Sequence, residues 1–372
     1  MKITRTRLHC QRLTAGGLAR PEDVVAWLGA VQAQEYPFAK WGLALRMRRA
    51  SEVSVERAFA SGAILRTHVM RPTWHFVTPA DIRWMLALTA PRVRAAVASY
   101  DRKLGIDAAS ITRANRAIAA ALAGGAQLTR AELKVALAGA GVPVGATQHF
   151  AHVTLHAELD AVICSGARRG TQLTYALFDD RVPATPAMPR DAALAELARR
   201  YFTSHGPAQV TDFAWWSGLT AGDARAALEM SRHHLADEVV DGRRYWLAPT
   251  ARVSARSPRS AFLLPPYDEY LIAYKDRSAA LDPGLWQPIT GRDPFAAPVV
   301  LDGRVVGGWK RTLDGDTVSI VLHLPGPLSR ADARLVEDAA RRYGDFLGLD
   351  VAISRPATTR PRRAPRSSRR GR

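Results

Sequence analysis

Residues 64–69 (ILRTHV) and 73–77 (TWHFV) are two runs rich in β-branched and aromatic residues, separated by Met70-Arg71-Pro72. Such runs on either side of a short turn segment predict a β-hairpin. Helical patterns precede them, starting at residues 21–23 (PED), where a proline and two acids suit a first helical turn, and again near Ser51. Three helices followed by a hairpin is the order of a winged helix, so this stretch predicts an α+β fold.

The same order recurs twice further along the chain. Thr129 and Glu132 form a capping-box pattern at a helix start, and a longer helix over 147–163 and a strand over 170–178 follow it. In the third occurrence Asp241-Gly242 separates two strands, which is a strong hairpin signal. Tandem winged-helix modules are therefore predicted at residues 1–104, 105–188 and 189–255.

Beyond about residue 255, short β-rich runs replace the helical pattern. Asp302-Gly303 and Asp314-Gly315 mark turns between these runs, and a helix is predicted over 330–346. We therefore expect a small β-barrel-like domain over residues 256–354. A disordered basic tail over 355–372 follows it, because this segment is rich in Pro, Arg and Ser.

The formal net charge is +18. The tail from Arg355 holds eight arginines and no acid, which leaves a net charge of +10 on the rest of the chain. A basic body favours a polyanionic partner, because each Lys or Arg near a phosphate releases condensed counterions. The other explanation is that arginine is simply abundant in proteins from GC-rich genomes.

Cysteine and histidine usage gives no sign of a disulfide or metal framework. Cys10 and Cys164 are too few for either. His152 and His156 have the i, i+4 spacing of zinc ligands, but no recognised pattern completes the set, so no metal and no other cofactor is predicted. No apolar run reaches transmembrane length and no signal-peptide pattern opens the chain; a cytoplasmic, nucleoid-associated protein is expected, without membrane contact.

Several segments in order along the chain match one family. They are QAQ at 32–34, RPTWHFV at 71–77, HGPA at 205–208, DFAWWSGL at 212–219, LLPPYDEYL at 263–271 and GGWKR at 307–311. By this collinear set the chain resembles the AlkZ/YcaQ-type winged-helix DNA glycosylases. The resemblance implies tandem winged helices around a concave DNA channel. It also implies monofunctional removal of N7- or N3-alkylated purines and, in some members, unhooking of interstrand crosslinks.

The family's catalytic motif is a glutamine, an apolar residue and then Gln or Asp, which corresponds here to Gln32-Ala33-Gln34. Base excision breaks the C1′–N bond through an oxocarbenium-like state, and an N7-alkylpurine, already cationic, leaves without being protonated. A glutamine amide can both donate and accept, and so can hold a water in line with C1′. The resemblance implies that Gln32 and Gln34 position this water.

The spacing of the two glutamines limits this interpretation. Side chains at i and i+2 of a regular helix point to nearly opposite sides, so they can share a site only where a helix ends. Pro37 predicts such an end near residues 34–36. Two exposed amides at a helix terminus are the alternative. Glu35 and Asp81 are the other candidates for activating water, or else solvated and capping carboxylates.

Four residues of the first hairpin are candidates for DNA contact: Arg66, Arg71, Thr73 and His75. Strand alternation places Thr73 and His75 on one face. The alternatives are a buried, hydrogen-bonded histidine and unpaired surface arginines. The expected partner is double-stranded DNA carrying alkylated purines.

Non-enzymatic functions remain open from the sequence. Many winged helices belong to regulators that place a recognition helix in the major groove, and a resistance protein could shield lesions by binding without cutting. Three different modules in one chain do not resemble half of a symmetric dimer that reads a palindrome, so a monomer is expected.

Overall fold

A computed structural model describes residues 3–145, 147–251, 253, 258–282, 284 and 297–355. Apart from Arg355, the predicted basic tail lies outside these residues. The fold is mixed α+β, and none of the described helices is long and apolar enough to cross a membrane.

The first helix–strand unit contains the hairpin predicted from the sequence. Its elements are α1 (Ile3–Cys10), α2 (Pro21–Leu28), β1 (Val31–Gln32), α3 (Tyr36–Ala44), α4 (Glu52–Ser61), β2 (Leu65–His68) and β3 (Trp74–Val77). Strand β3 lies between β1 and β2 in an antiparallel sheet. His75 is therefore the centre of a row, with Gln32 opposite it on one side and Thr67 on the other.

The prediction that Pro37 ends a helix near residues 34–36 is wrong. Helix α2 ends at Leu28, and Gly29 follows at the C-cap with a φ of 83°, a conformation that favours glycine. Pro37 instead lies in the first turn of α3, where its missing N–H costs no helical hydrogen bond. As a consequence Gln32 lies on a strand and Gln34 in the bend that follows it.

The second and third units repeat this order. After α5 (Pro79–Leu104) come α6 (Ala108–Leu122), β4 (Leu128–Thr129), α7 (Arg130–Gly139), α8 (Thr147–Leu159), β5 (Ile163–Ser165) and β6 (Thr174–Leu177). After α9 (Phe178–Arg181) come α10 (Arg190–His205), α11 (Val210–Ser217), α12 (Ala221–Ser231), β7 (Ala236–Val240) and β8 (Arg243–Leu247). In the second unit the strand order is β4-β6-β5; in the third, a bridge between Ala208 and Trp246 takes the place of the first strand.

Two sequence predictions in the second unit need adjustment. The capping box of Thr129 and Glu132 is confirmed at the start of α7. The helix predicted over 147–163 ends at Leu159, and Ile163 already begins strand β5. The strand predicted over 170–178 is shorter, because only residues 174–177 pair with β4 and β5.

The C-terminal part is a five-stranded sheet. Its elements are β9 (Ala261–Leu263), α13 (Glu269–Ile272), β10 (Pro298–Leu301), β11 (Arg304–Asp314), β12 (Thr317–His323), α14 (Arg330–Leu347) and β13 (Asp350–Ser354). The strand order is β13-β12-β11-β10-β9, and β13 alone among the described neighbours runs parallel to its partner.

The segment between β9 and β10 joins the first unit to the third. Trp41 of α3 donates its indole N–H to the carbonyl of Leu263 over 2.7 Å. Ten residues on, the carbonyl of Ala273 accepts a 2.8 Å hydrogen bond from the hydroxyl of Tyr201 in α10. Helix α13 therefore lies against both units, and its side chains can reach the catalytic motif predicted at β1.

Candidate active site

Gln32 combines a fixed backbone with an unsatisfied side chain. Its backbone N–H donates to Oε1 of Glu269 over 3.0 Å, and strand pairing sets it opposite His75. The residue is 7% exposed, yet its carboxamide oxygen has no hydrogen-bond partner among the described residues. Buried polar atoms in native proteins are nearly always hydrogen-bonded. The unpaired oxygen therefore indicates a binding position for a hydrogen-bond donor that is not part of the protein.

Gln34 is exposed and lies in the bend that follows Gln32. The intervening Ala33 is paired on both sides: its N–H donates to the carbonyl of Trp74 over 2.7 Å, and its carbonyl accepts from Nε of Arg66 over 2.9 Å. Because neither glutamine lies in a helix, the geometric objection that a helix would raise against a shared site does not apply.

Glu269 carries a buried carboxylate beside this motif. Besides Gln32, it accepts from the indole N–H of Trp216 over 2.9 Å, and Nε2 of His205 lies 3.4 Å from Oε2. Burial on its own raises the pKa of this carboxyl, but His205, the guanidinium of Arg71 and the Gln32 N–H together bring the pKa below its ordinary value. The group is therefore ionised at neutral pH.

His75, one of the four predicted hairpin residues, lies opposite Gln32 in the sheet. His75 is fully buried and its Nδ1 lies 2.8 Å from the carbonyl of Thr73. A carbonyl can only accept, so Nδ1 carries the proton and Nε2 is left as an acceptor. Burial, reinforced by Arg71, lowers the pKa of His75 to about 3, which keeps the ring neutral.

Further unpartnered atoms occur on three residues of the hairpin. Within the described part of the chain, Nε and Nη2 of Arg71, Oγ1 of Thr73 and Nε2 of His75 are all buried without a hydrogen-bond partner. Together with Gln32 and Glu269 these residues form what we call the Gln32 cluster. Its unpartnered donors and acceptors fit a polar ligand and do not fit a closed core.

Arg66 lies on the other side of the hairpin. Its guanidinium stacks 4.2 Å from the ring centre of Trp74 while it supports the carbonyl of Ala33. It lines a cavity of about 340 Å³ between the first two units, together with Glu158 and Tyr175. Its DNA contact, like that of the other hairpin residues, stays a prediction; what the structure adds is its support of the motif backbone.

The alternative water activators are placed differently from Gln32. Asp81 is buried in the first turn of α5, where it accepts from Thr78 over 2.7 Å and from Trp84 over 3.0 Å and pairs with Arg200 at 2.8 Å. These partners are all side chains, and the N-terminus of α5 has no side-chain cap hydrogen bond, so Asp81 is a buried, ion-paired carboxylate and not a capping one. Glu35 is exposed immediately before α3.

The spacing of His152 and His156 has an explanation without a metal. Both rings bind the carboxylate of Asp101, at 2.6 and 3.0 Å. No group of three or more His, Cys, Asp or Glu residues arranged to hold a metal ion occurs among the residues that the structure describes.

Sequence reasoning assigned no catalytic or positioning role to Glu269, His205 or Trp216. All three lie in the segments used for the family resemblance, residues 205–208, 212–219 and 263–271. The available signal was an acid inside an apolar, proline-containing run. It could not reveal that this acid contacts a backbone N–H 237 residues away.

Comparison with known proteins gives concordant results. Residues 25–346 match the family described as DNA glycosylase AlkZ-like. An interstrand DNA cross-link repair glycosylase of Streptomyces sahachiroi is 28% identical over 304 residues, which are 77% of this chain and 81% of that protein. The solved structure of Streptomyces sahachiroi DNA glycosylase AlkZ has a TM-score of 0.79 at 24% identity, covering 95% of this chain and 98% of that one. The similarity in fold thus extends over the three units and the C-terminal sheet.

Proposed function

The chain belongs to the AlkZ-like DNA glycosylase family, and from this premise we propose that it hydrolyses the N-glycosidic bond of N7- or N3-alkylated purines in double-stranded DNA. Gln32 and Gln34 position the attacking water. The observation that carries this assignment is the state of Gln32, whose backbone is held by β3 and Glu269 while its buried carboxamide oxygen is unpartnered in the described structure.

The reaction requires that the water is placed correctly and that the site accommodates the positive charge that develops on the sugar. An alkylated purine that is already cationic departs as a neutral base, and positive charge develops on the sugar. The carboxamides orient the water, because an amide oxygen accepts from it and an amide N–H donates to it. A site without a protonating acid selects labile, cationic lesions. The name of the Streptomyces relative extends the proposal to crosslinks that involve such purines.

The fold suggests how DNA is bound. Each unit has helices followed by a hairpin, and in the first two units the last strand lies between the other two. This arrangement supports the proposal that the units are tandem winged helices that hold the duplex. We propose that the protein acts as a monomer, since the three units within one chain provide the repeated contacts that regulators obtain by dimerisation.

A glycosylase assay tests the assignment. Wild-type protein is incubated with a duplex containing 7-methylguanine, and free base and abasic sites are measured; a monofunctional enzyme leaves the strand uncut until alkali is added. Gln32→Ala and Gln34→Ala are each expected to lower the single-turnover rate about 100-fold, the size of effect that loss of positioning produces. Gln148→Ala, which changes an exposed glutamine on α8, is the control and is expected to keep the wild-type rate.

Two results would contradict the proposal. Undiminished excision in both the Gln32 and Gln34 variants would show that the water is activated elsewhere. Tight DNA binding by the wild type with no release of alkylpurine would instead favour a regulator or a lesion-shielding protein.

A further inference from the structure

Glu269 spans three elements that are distant in sequence. Its two carboxylate oxygens accept from Gln32 in β1 and from Trp216 in α11, at 3.0 and 2.9 Å, and His205 at the end of α10 lies 3.4 Å away. Arg71 of the hairpin also acts on this carboxylate through its charge. A buried carboxylate is unfavourable unless such partners compensate for its desolvation.

The local structure of α13 does not depend on this carboxylate. The N-cap of the helix is Asp268, whose side chain accepts from the backbone N–H of Tyr270 over 2.9 Å. Asp268 also forms a two-pronged ion pair with Arg46, at 2.8 and 2.9 Å. Neighbouring buried acids are thus divided between two tasks: Asp268 anchors the segment, and Glu269 reaches the catalytic motif.

We propose that Glu269 is a positioning residue for base excision, which holds the backbone of Gln32 so that the Gln32 carboxamide oxygen stays free to accept a hydrogen bond from the attacking water. This inference rests on the proposed function. Its physical basis is that strand pairing with β3 fixes Gln32 from one side only, while the Oε1 contact fixes its N–H from the other. A side chain on a backbone held twice loses little orientational freedom when water and substrate arrive.

Glu269→Gln is the informative variant because it keeps the shape of the side chain. A carboxylate accepts at both oxygens, whereas a carboxamide accepts at one and donates at the other. It therefore cannot satisfy both the Gln32 N–H and the Trp216 indole. We expect the single-turnover excision rate to fall at least tenfold while the dissociation constant for the same duplex changes less than twofold.

A double-mutant cycle with Gln32→Ala shows whether Glu269 acts through Gln32. In the Gln32→Ala background, Glu269→Gln is expected to lower the rate by less than twofold. Asp332→Asn is the control, because Asp332 is a buried acid at the start of α14 that accepts from Ser329 and pairs with Arg259. A purely structural change of this kind lowers the melting temperature and has the same effect on the rate in both backgrounds.

The outcomes separate this inference from the proposed function. Wild-type excision in Glu269→Gln, or an equal loss in both backgrounds, overturns the positioning role while leaving the glutamine assignment intact. No alkylpurine release by the wild type overturns the proposed function itself. If Glu269→Gln does not fold, Trp216→Phe is tested instead, because it removes the second donor to Glu269 but keeps an aromatic ring. A threefold or greater loss of excision rate that disappears in the Gln32→Ala background supports the inference. A loss of the same size in both backgrounds contradicts it.

Discussion

The neutral, buried ring of His75 makes the stability of this protein sensitive to acid. Its pKa in the folded state is about 3, against 6.5 for a free histidine, so between these values the unfolded chain binds a proton that the folded chain does not. Stability therefore rises with pH through this window and its full contribution is present above pH 6.5. Burial also lowers the pKa of His205, which adds in the same direction.

We expect the free energy of unfolding, measured in urea at pH 7, 6 and 5, to decrease with acidification. One group of this kind contributes up to about 1.4 kcal/mol per pH unit. His75→Gln should reduce the slope of stability against pH even though the variant is less stable at every pH. His234→Gln, which changes an exposed histidine, should keep the wild-type slope; equal slopes in all three proteins would contradict the burial argument.

The site could be predicted only in part at the scale of single residues. The resemblance supplied Gln32 and Gln34, and alternation along β3 grouped Thr73 with His75, both of which belong to the Gln32 cluster. Glu269 could not be found in this way, because its role depends on a contact between residues 237 positions apart. Arg66 was grouped with the other hairpin residues, although it projects to the opposite face and stacks on Trp74.

At the scale of elements, turn chemistry was a better guide than helical periodicity. The hairpins around residues 70–72 and Asp241-Gly242 form as predicted, because their signals are local. Strand β1 was missed because two residues have no measurable period. Pro37 was misread because proline is compatible with the first turn of a helix as well as with the region beyond its end.

Two glycines that end helices test how closely elements are packed at the site. Gly218 after α11 and Gly105 after α5 have similar φ values of 70° and 67°. A Cβ on Gly218 would lie 2.2 Å from the carbonyl oxygen of Met70, beside Arg71, whereas a Cβ on Gly105 would meet nothing within 4 Å. The backbone strain of an alanine is thus the same at both positions, and only the steric cost differs.

We expect Gly105→Ala to lower the free energy of unfolding by about 1 kcal/mol, the cost of a left-handed conformation for alanine. Gly218→Ala should cost about 1–3 kcal/mol more, because a clash with backbone is added. It should also lower excision by displacing the turn that carries Arg71. Urea unfolding and the single-turnover assay measure the two effects. An equal loss of unfolding free energy in the two variants would show that the hairpin turn moves away from the new methyl group without cost.

The charge of the whole molecule predicts a strong salt dependence of DNA binding. Residues 356–372, outside the described structure, contain seven arginines and no acid. Log affinity falls linearly with log salt concentration, and the magnitude of this slope decreases by nearly one for each phosphate contact that is lost. Truncation after Arg355 should therefore weaken binding and flatten this slope, while the excision rate of bound lesions is unchanged. An unchanged slope would show that the tail does not contact DNA.

The contact between Gln32 and Glu269 can form only after synthesis of the chain has passed Glu269. Synthesis runs from the N-terminus, so the first unit leaves the ribosome long before α13. At about 5–20 residues per second, roughly 10–40 s separate the first hairpin from Glu269. During that interval the nascent chain has both glutamines but lacks the residue that holds one of them. Prematurely terminated chains that stop before α13 therefore lack Glu269 and cannot complete the Gln32 cluster.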